Sequence, residues 1–172
     1  RHELGFLPEN RKEDGLALIL PLKDNIIQAS LRKLFPSGFL RLSREREVAK
    51  RYVQELGMAA PDIYRMARFL SGGTQQKLVL AKWLCTQSRV LIFDEPTRGI
   101  DVGAKEEIHS LMNNLAGKGV GILMISSELP EILTLSDRIY VMREGAIVQE
   151  LEATATTQEE IIGFAAGERA TA

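Results

Sequence analysis

The chain has 172 residues, 45% of them apolar and 26% charged, with 22 Lys plus Arg against 23 Asp plus Glu and a formal net charge of -1. That composition is ordinary for one folded unit with or without a subdomain. It excludes disordered, collagen-like and low-complexity classes, and it excludes a nucleic-acid binder held by bulk positive charge. The single cysteine, Cys85, excludes an internal disulfide and a cysteine-rich zinc site. The longest apolar runs, such as Leu16 to Leu22, fall far short of the ~20 residues of a membrane helix, and no signal peptide is visible. The expectation is a soluble chain of a reducing compartment. It opens at Arg1 rather than Met and reads as though it begins inside a domain.

In chain order, Leu4 to Pro8 predicts a short strand that enters a charged loop, Glu9 to Gly15. Asp24 is placed to cap a helix running to about Leu34, and Phe35-Pro36-Ser37-Gly38 stops it. Ser43 is placed to cap a second helix ending at Gly57, with Val48, Tyr52, Val53 and Leu56 on one face and Glu45 and Glu47 suited to its first turn. Pro61 to Phe69 predicts a further short helix. After Gly73 the pattern changes. Thr74 to about Thr86 reads as a nearly all-apolar, buried helix capped by Ser71. Val90 to Phe93 is a continuous apolar strand, a helix follows from about Gly103 to Ala116, and Gly121 to Ser126 is a second such strand. Leu129 to Leu135 and Gln158 to Ala166 are helical. Arg138 to Met142 and Ala146 to Leu151 form a hairpin about Glu144-Gly145. Apolar strands alternating with helices predict an α/β fold with a parallel sheet.

Two segments carry chemistry. In Leu70-Ser71-Gly72-Gly73-Thr74-Gln75-Gln76, two glycines let backbone amides approach a ligand at a helix start. There the unpaired N–H groups and the partial positive charge suit a phosphate. Taken alone, Ser-Gly-Gly is more often an ordinary loop-to-helix turn. In Val90 to Thr97, an apolar strand delivers Asp94 and Glu95 to its C-terminal end, where open parallel sheets bind ligands. Asp94 suits Mg²⁺ held through its water shell, and Glu95 suits a general base for an attacking water. Pro96 is expected to keep Glu95 extended. The five cations and two anions of Arg41 to Arg51 read as a solvated helix face. Cys85 and Trp83 read as core, and His2 and His109 have no partners at metal-ligand spacing.

Together these segments resemble the nucleotide-binding domain of ABC transporters over nearly the whole chain, about Leu4 to Ala166. Leu70 to Gly73 is similar to the family signature, Val90 to Glu95 to its Walker B strand with the catalytic glutamate, and Gly99-Ile100-Asp101 to its D-loop. Leu70 to Leu84, Pro96 to Lys105 and the loop Pro8-Glu9-Asn10-Arg11-Lys12 resemble the C-terminal ATPase domain of tandem monosaccharide importers of the ribose, galactose and xylose type. The resemblance implies a P-loop NTPase-like parallel sheet with a helical subdomain, incomplete at its N-terminus because no G-x-x-x-x-G-K-[ST] segment is present. It divides the chain into residues 1–15 (Q-loop region), 16–87 (helical subdomain ending in the signature helix), 88–155 (core with Walker B, D-loop and switch strands) and 156–172 (C-terminal helix and tail). The implied cofactors are ATP and Mg²⁺. Ser71, Gly72, Gly73, Gln75 and Asp101 would bind nucleotide, Asp94 the metal, and Glu95 would be catalytic.

Two positions depart from the family pattern. Glu9 stands where a glutamine is usual and can only accept hydrogen bonds when ionised. Ser127 stands where the switch histidine is usual and cannot carry an imidazolium charge. The implied arrangement is head-to-tail. This domain donates its signature and D-loop to a partner ATPase domain and keeps a weaker site of its own, with permease subunits touching the region from Glu9 to Leu22 and a sugar-binding protein acting indirectly. The location implied is peripheral, at the cytoplasmic face of the cell membrane, without nucleic acid. The chain alone is expected to be inactive, and a sheet edge left open is expected to favour self-association. Two other classes compete. A soluble ABC ATPase acting on nucleic acid or ribosomes is disfavoured by the near-neutral charge and the lack of basic insertions. A non-catalytic docking or regulatory module is favoured by Glu9, Ser127 and the missing phosphate loop.

Overall fold

The computed structural model describes residues 4–59 and 62–167. They form two compact units, one ending at Ile125 and the other beginning at Ser126. In the first, β1 (Leu4–Leu7), β2 (Val90–Asp94) and β3 (Gly121–Ile125) make a parallel sheet in the order β1-β2-β3. Register aligns Leu7 with Phe93 and Asp94 with Ile125, so all three strands deliver their C-terminal ends to one side. Leu7, Leu91 and Phe93 are essentially inaccessible and face the helices. The opposite face carries Leu4, Phe6, Val90, Leu123 and Ile125, each more than a third exposed.

The helices of this unit are α1 (Leu22–Ile27), α2 (Leu31–Leu34), α3 (Leu42–Glu55), α4 (Gly72–Cys85) and α5 (Val102–Gly117). As expected from its sequence, α4 is buried nearly all round, and it packs on α1, α5 and β1. Even its lysines are buried. Lys82 Nζ donates to the Gly15 carbonyl at 2.6 Å, and burial pulls its ammonium below lysine's ordinary value.

Several local expectations are corrected. The helix expected from Asp24 to Leu34 begins at Leu22 and breaks into α1, a 3₁₀ turn at Gln28–Ser30, and α2. Asp24 does not cap it. Pro21 occupies the N-cap position, and Asp24 accepts from Lys23 Nζ at 2.8 Å. The same ammonium reaches Glu45 Oε1 at 2.8 Å, so Glu45, 1% exposed on α3, serves as a buried ion-pair partner as well as a first-turn acid. Burial opposes the Lys23 charge, but the hydrogen bonds and charges of Asp24 and Glu45 outweigh it and raise its pKa. That contribution holds at neutral pH and is lost only as pH rises through the raised value. Helix α3 starts at Leu42 with Arg41 as N-cap, and Ser43 lies inside its first turn. Of the helix expected over 61–69, only a 3₁₀ turn at Ala67–Phe69 forms, because the preceding stretch makes a bridge from Met66 to Pro21. Pro61 lies outside the described residues, as does His2.

The second unit holds α6 (Leu129–Leu135), β4 (Arg138–Arg143), β5 (Ala146–Glu152) and α7 (Gln158–Ala166). The expected hairpin is present and turns through Glu144 and Gly145, both at positive φ. Ile139, Val141, Ala153 and Ile161 form a small core of its own.

Asn25 explains why the loop before α1 is ordered. It is fully buried, its Oδ1 accepts from Ala17 N at 2.9 Å, and its Nδ2 donates to the carbonyls of Ala17, Leu20 and Pro21. Asn25→Ala orphans these buried groups and is expected to cost about 3 kcal/mol. The urea midpoint of this chain measures it, and a change under about 0.5 kcal/mol contradicts this role for Asn25.

Candidate functional site

The C-terminal end of β2 sets the site. Its backbone ladder extends one residue past the strand, because Glu95 N donates to Ile125 O at 2.8 Å. Asp94 and Glu95 are both half-buried. Glu95 is not extended, as its position before Pro96 predicts, but lies at φ +47°. The residue before a proline is steered away from the right-handed helical region. Here the chain must also leave the sheet sharply while its amide stays tied to β3, and the left-handed region meets both demands. The arrangement strains a residue that carries a Cβ.

The Ser-Gly-Gly turn opens α4 as expected. Ser71 caps it, with Oγ accepting from Thr74 N at 3.3 Å. Asp101 caps α5 in the same way, with Oδ1 accepting from Ala104 N at 2.9 Å. The two helix starts meet at the glycines. A Cβ on Gly73 would lie 2.8 Å from Ala104 Cβ, and one on Gly72 would lie 2.9 Å from Arg11 Nη2. The close approach therefore requires glycine at 73, whereas a side chain at 72 would have to displace the end of Arg11. Further along, Lys77 Nζ joins α4 to Glu107 of α5 at 2.7 Å and to the Gly57 carbonyl at 3.0 Å. Gln75 is turned inward, 3% exposed, and its Nε2 donates to Ala67 O at 3.0 Å.

The loop after β1 joins this assembly. Glu9 pairs with Arg98, and the Arg11 guanidinium donates to Arg98 O at 3.0 Å and Gly99 O at 3.2 Å. Burial lowers the pKa of Arg11 from its ordinary value. A pocket of about 300 Å³ lies here, with Arg11, Lys12, Arg68, Gly72, Gln75 and Gly99 in its wall. Among the described residues, Arg11 Nε and Gln75 Oε1 are buried without hydrogen-bond partners. Three cations and a helix N-terminus make the pocket attractive to anions.

The structure thus brings Ser71, Gly72, Gly73 and Asp101 together, with Glu9 beside them through Arg98. Asp94 and Glu95 sit at the end of β2. Ser127 is exposed in the second unit, between Ser126, whose Oγ donates to Glu131 Oε2 at 2.5 Å, and Glu128, whose amide donates to Ser126 Oγ at 3.1 Å. Sequence reasoning assigned no role to Arg11, Arg98 or the Lys77–Glu107 tie. Only the nearness of charged residues to the two loops hinted at them. Cys85 is buried as expected, and burial pushes its thiol pKa up. Trp83 packs against the core, and His109 is half-buried on α5.

A parallel sheet carrying a strand-end Asp-Glu pair, together with a Ser-Gly-Gly helix start, is the arrangement of an ATP-binding cassette. The ABC transporter profile matches residues 1–98, and the chain belongs to that family. It is 53% identical over 169 residues to the "Putative ribose/galactose/methyl galactoside import ATP-binding protein 1" of Burkholderia ambifaria, covering 97% of this chain and 33% of that protein. It is 48% identical over 167 residues to the ribose import ATP-binding protein RbsA of Yersinia pestis, again covering 97% and 33%. The chain spans about a third of the length of these curated relatives. Among solved structures, a dimeric ATP-binding cassette in a post-hydrolysis state, bound to ADP and Pi, aligns with a TM-score of 0.72 at 18% identity, covering 88% of this chain and 63% of that one.

The strain at Glu95 is open to test. Replacement by Gly and by Ala removes the same carboxylate, but only Gly tolerates positive φ freely. In this chain, Glu95→Gly is expected to be more stable than Glu95→Ala by about 1 kcal/mol in chemical denaturation. Equal stabilities, or a more stable Ala variant, contradict the left-handed bend at this position.

Proposed function

We propose that this chain is part of an ATPase domain that energises sugar import, and that its main contribution is to complete an ATP site on a partner ATPase domain. The observation that carries the proposal is the junction of the two capped helix starts, Ser71-Gly72-Gly73 on α4 and Asp101 on α5. First-turn amides of a helix lack intrahelical partners and carry partial positive charge, so this surface suits a phosphate approaching from another domain. The names of the sugar-import relatives support the transport role.

ATP with Mg²⁺, when bound, supplies a phosphoryl group for transfer to water. The chain's residues fit that group. Asp94 stands half-buried at the C-terminal end of a parallel strand, where it would hold the metal, and Glu95 beside it would act as general base. This own site is the weaker one. Glu9 replaces an amide that could donate, and its carboxylate is already paired with Arg98. Gln75, expected to bind nucleotide, is turned inward instead, and its bond to Ala67 O holds the turn behind the signature.

In the assembled importer, permease subunits receive the motion of the closing ATPase pair, and a sugar-binding protein delivers the cargo. The domain is peripheral at the cytoplasmic face. Among the described residues no helix is long and apolar enough to cross a membrane.

Ser71→Arg in the full-length parent, assembled with its permease, tests the donation. It is expected to lower sugar-stimulated ATPase roughly 100-fold, the scale of losing a preorganised donor to transition-state charge. Turnover equal to wild type contradicts the reading.

A further inference from the structure

Arg11, in the loop after β1, lies more than sixty residues before both the start of α4 and the loop after β2, yet its guanidinium bonds to the second and lies against the first. Arg11 Nη1 and Nη2 donate to the carbonyls of Arg98 and Gly99, at 3.0 and 3.2 Å. A Cβ added to Gly72 would lie 2.9 Å from Nη2 and 3.4 Å from the Gly99 carbonyl. The Glu9–Arg98 ion pair joins the same two loops through side chains. Two residues beyond Gly99, Asp101 caps α5.

From this geometry we infer that Arg11 is a positioning residue. It clamps the loop before Asp101 against the signature turn, so that Ser71, Gly72 and Asp101 reach a partner's nucleotide as one rigid surface. The role in catalysis rests on the function proposed above; the clamp itself rests on the contacts alone. Magnitudes separate its two parts. Both members of the Glu9–Arg98 pair are largely exposed, and such pairs contribute little. Arg11 is partly buried and makes two charge-assisted bonds to backbone carbonyls, which are the stronger kind. A planar fork aims fixed N–H groups at two adjacent carbonyls, whereas an ammonium on a flexible stem holds them less firmly. Glu9, at the usual glutamine position of the Q-loop, then serves as the auxiliary half of this clamp by steering Arg98.

Two readouts on the full-length parent assembled with its permease test the inference. The variants are Arg11→Ala, Arg11→Lys and the charge swap Glu9→Arg with Arg98→Glu. The first readout is amide hydrogen exchange at Arg98 and Ala104, whose N–H groups bond to Glu95 O and Asp101 Oδ1. Arg11→Ala is expected to speed exchange there about tenfold with the rest of the domain unchanged, and Arg11→Lys to give an intermediate rate. The second is sugar-stimulated ATPase. Arg11→Ala is expected to lower kcat about tenfold with KM for ATP within about twofold of wild type, the pattern of misplacement without lost ground-state binding. The charge swap is expected to recover more activity than either of its single replacements. Unchanged exchange at Arg98 and Ala104 in Arg11→Ala overturns the clamp whatever the turnover. Faster exchange with wild-type kcat overturns the positioning role. If the wild-type assembly shows no sugar-stimulated turnover, the transport reading fails, while the exchange data still decide the clamp.

Discussion

The chemistry of this chain depends on the double-sided pairing of β2. Leu91 and Phe93 are buried beneath it, and β1 and β3 hold it from either edge. A strand fixed on both edges cannot slide without turning its buried residues to the other face. Its last residues are therefore placed with the accuracy of the core. The Glu95 amide stays in the ladder while its backbone bends into the left-handed region, and this single step carries the chain from the sheet into the loop before Asp101. Strain kept at such a point is characteristic of sites where direction matters more than stability.

A second constraint is proximity. The signature turn and the start of α5 approach so closely that a methyl group on Gly73 would collide with Ala104. Lys77, bonded to Glu107 and to the Gly57 carbonyl, extends the tie along α4, and Lys82 anchors the far end of the same helix to Gly15. A helix buried on every side has little freedom to tilt alone. Ser71, Gly72 and Asp101 thus sit on elements tied directly to the core, which suits the proposed meeting with a second domain. By contrast, the sheet face bearing Leu4, Phe6, Val90, Leu123 and Ile125 is apolar and exposed, although parallel sheets are ordinarily covered on both faces.

Much of this was legible in the sequence wherever the determinant is local. The strand Val90 to Asp94, the Ser71 cap, the buried helix behind it and the Glu144-Gly145 hairpin all follow from short-range patterns, and all are present. The strand-end carboxylates and the Ser-Gly-Gly turn were legible for the same reason. What escaped depends on distant partners. Asn25 draws loop carbonyls around itself and moves the helix start away from Asp24, and Glu45 is buried because Lys23 lies across from it. The Glu95 bend follows from a hydrogen bond to Ile125, thirty residues on, competing with the local preference of a residue before proline. Arg11 reaches carbonyls 87 and 88 positions away. No periodicity or cap rule encodes such a contact.

The claim at the centre of this account is that the Ser71 turn faces a partner's ATP. The most direct measurement is disulfide trapping in the full-length parent, with Ser71→Cys paired to a cysteine placed in the phosphate-binding loop of the partner ATPase domain. The chain's own thiol, Cys85, is buried and does not compete. The account predicts a cross-link that forms with ATP and Mg²⁺ present and fails to form without nucleotide. A cross-link that never forms, or one indifferent to ATP, would contradict it.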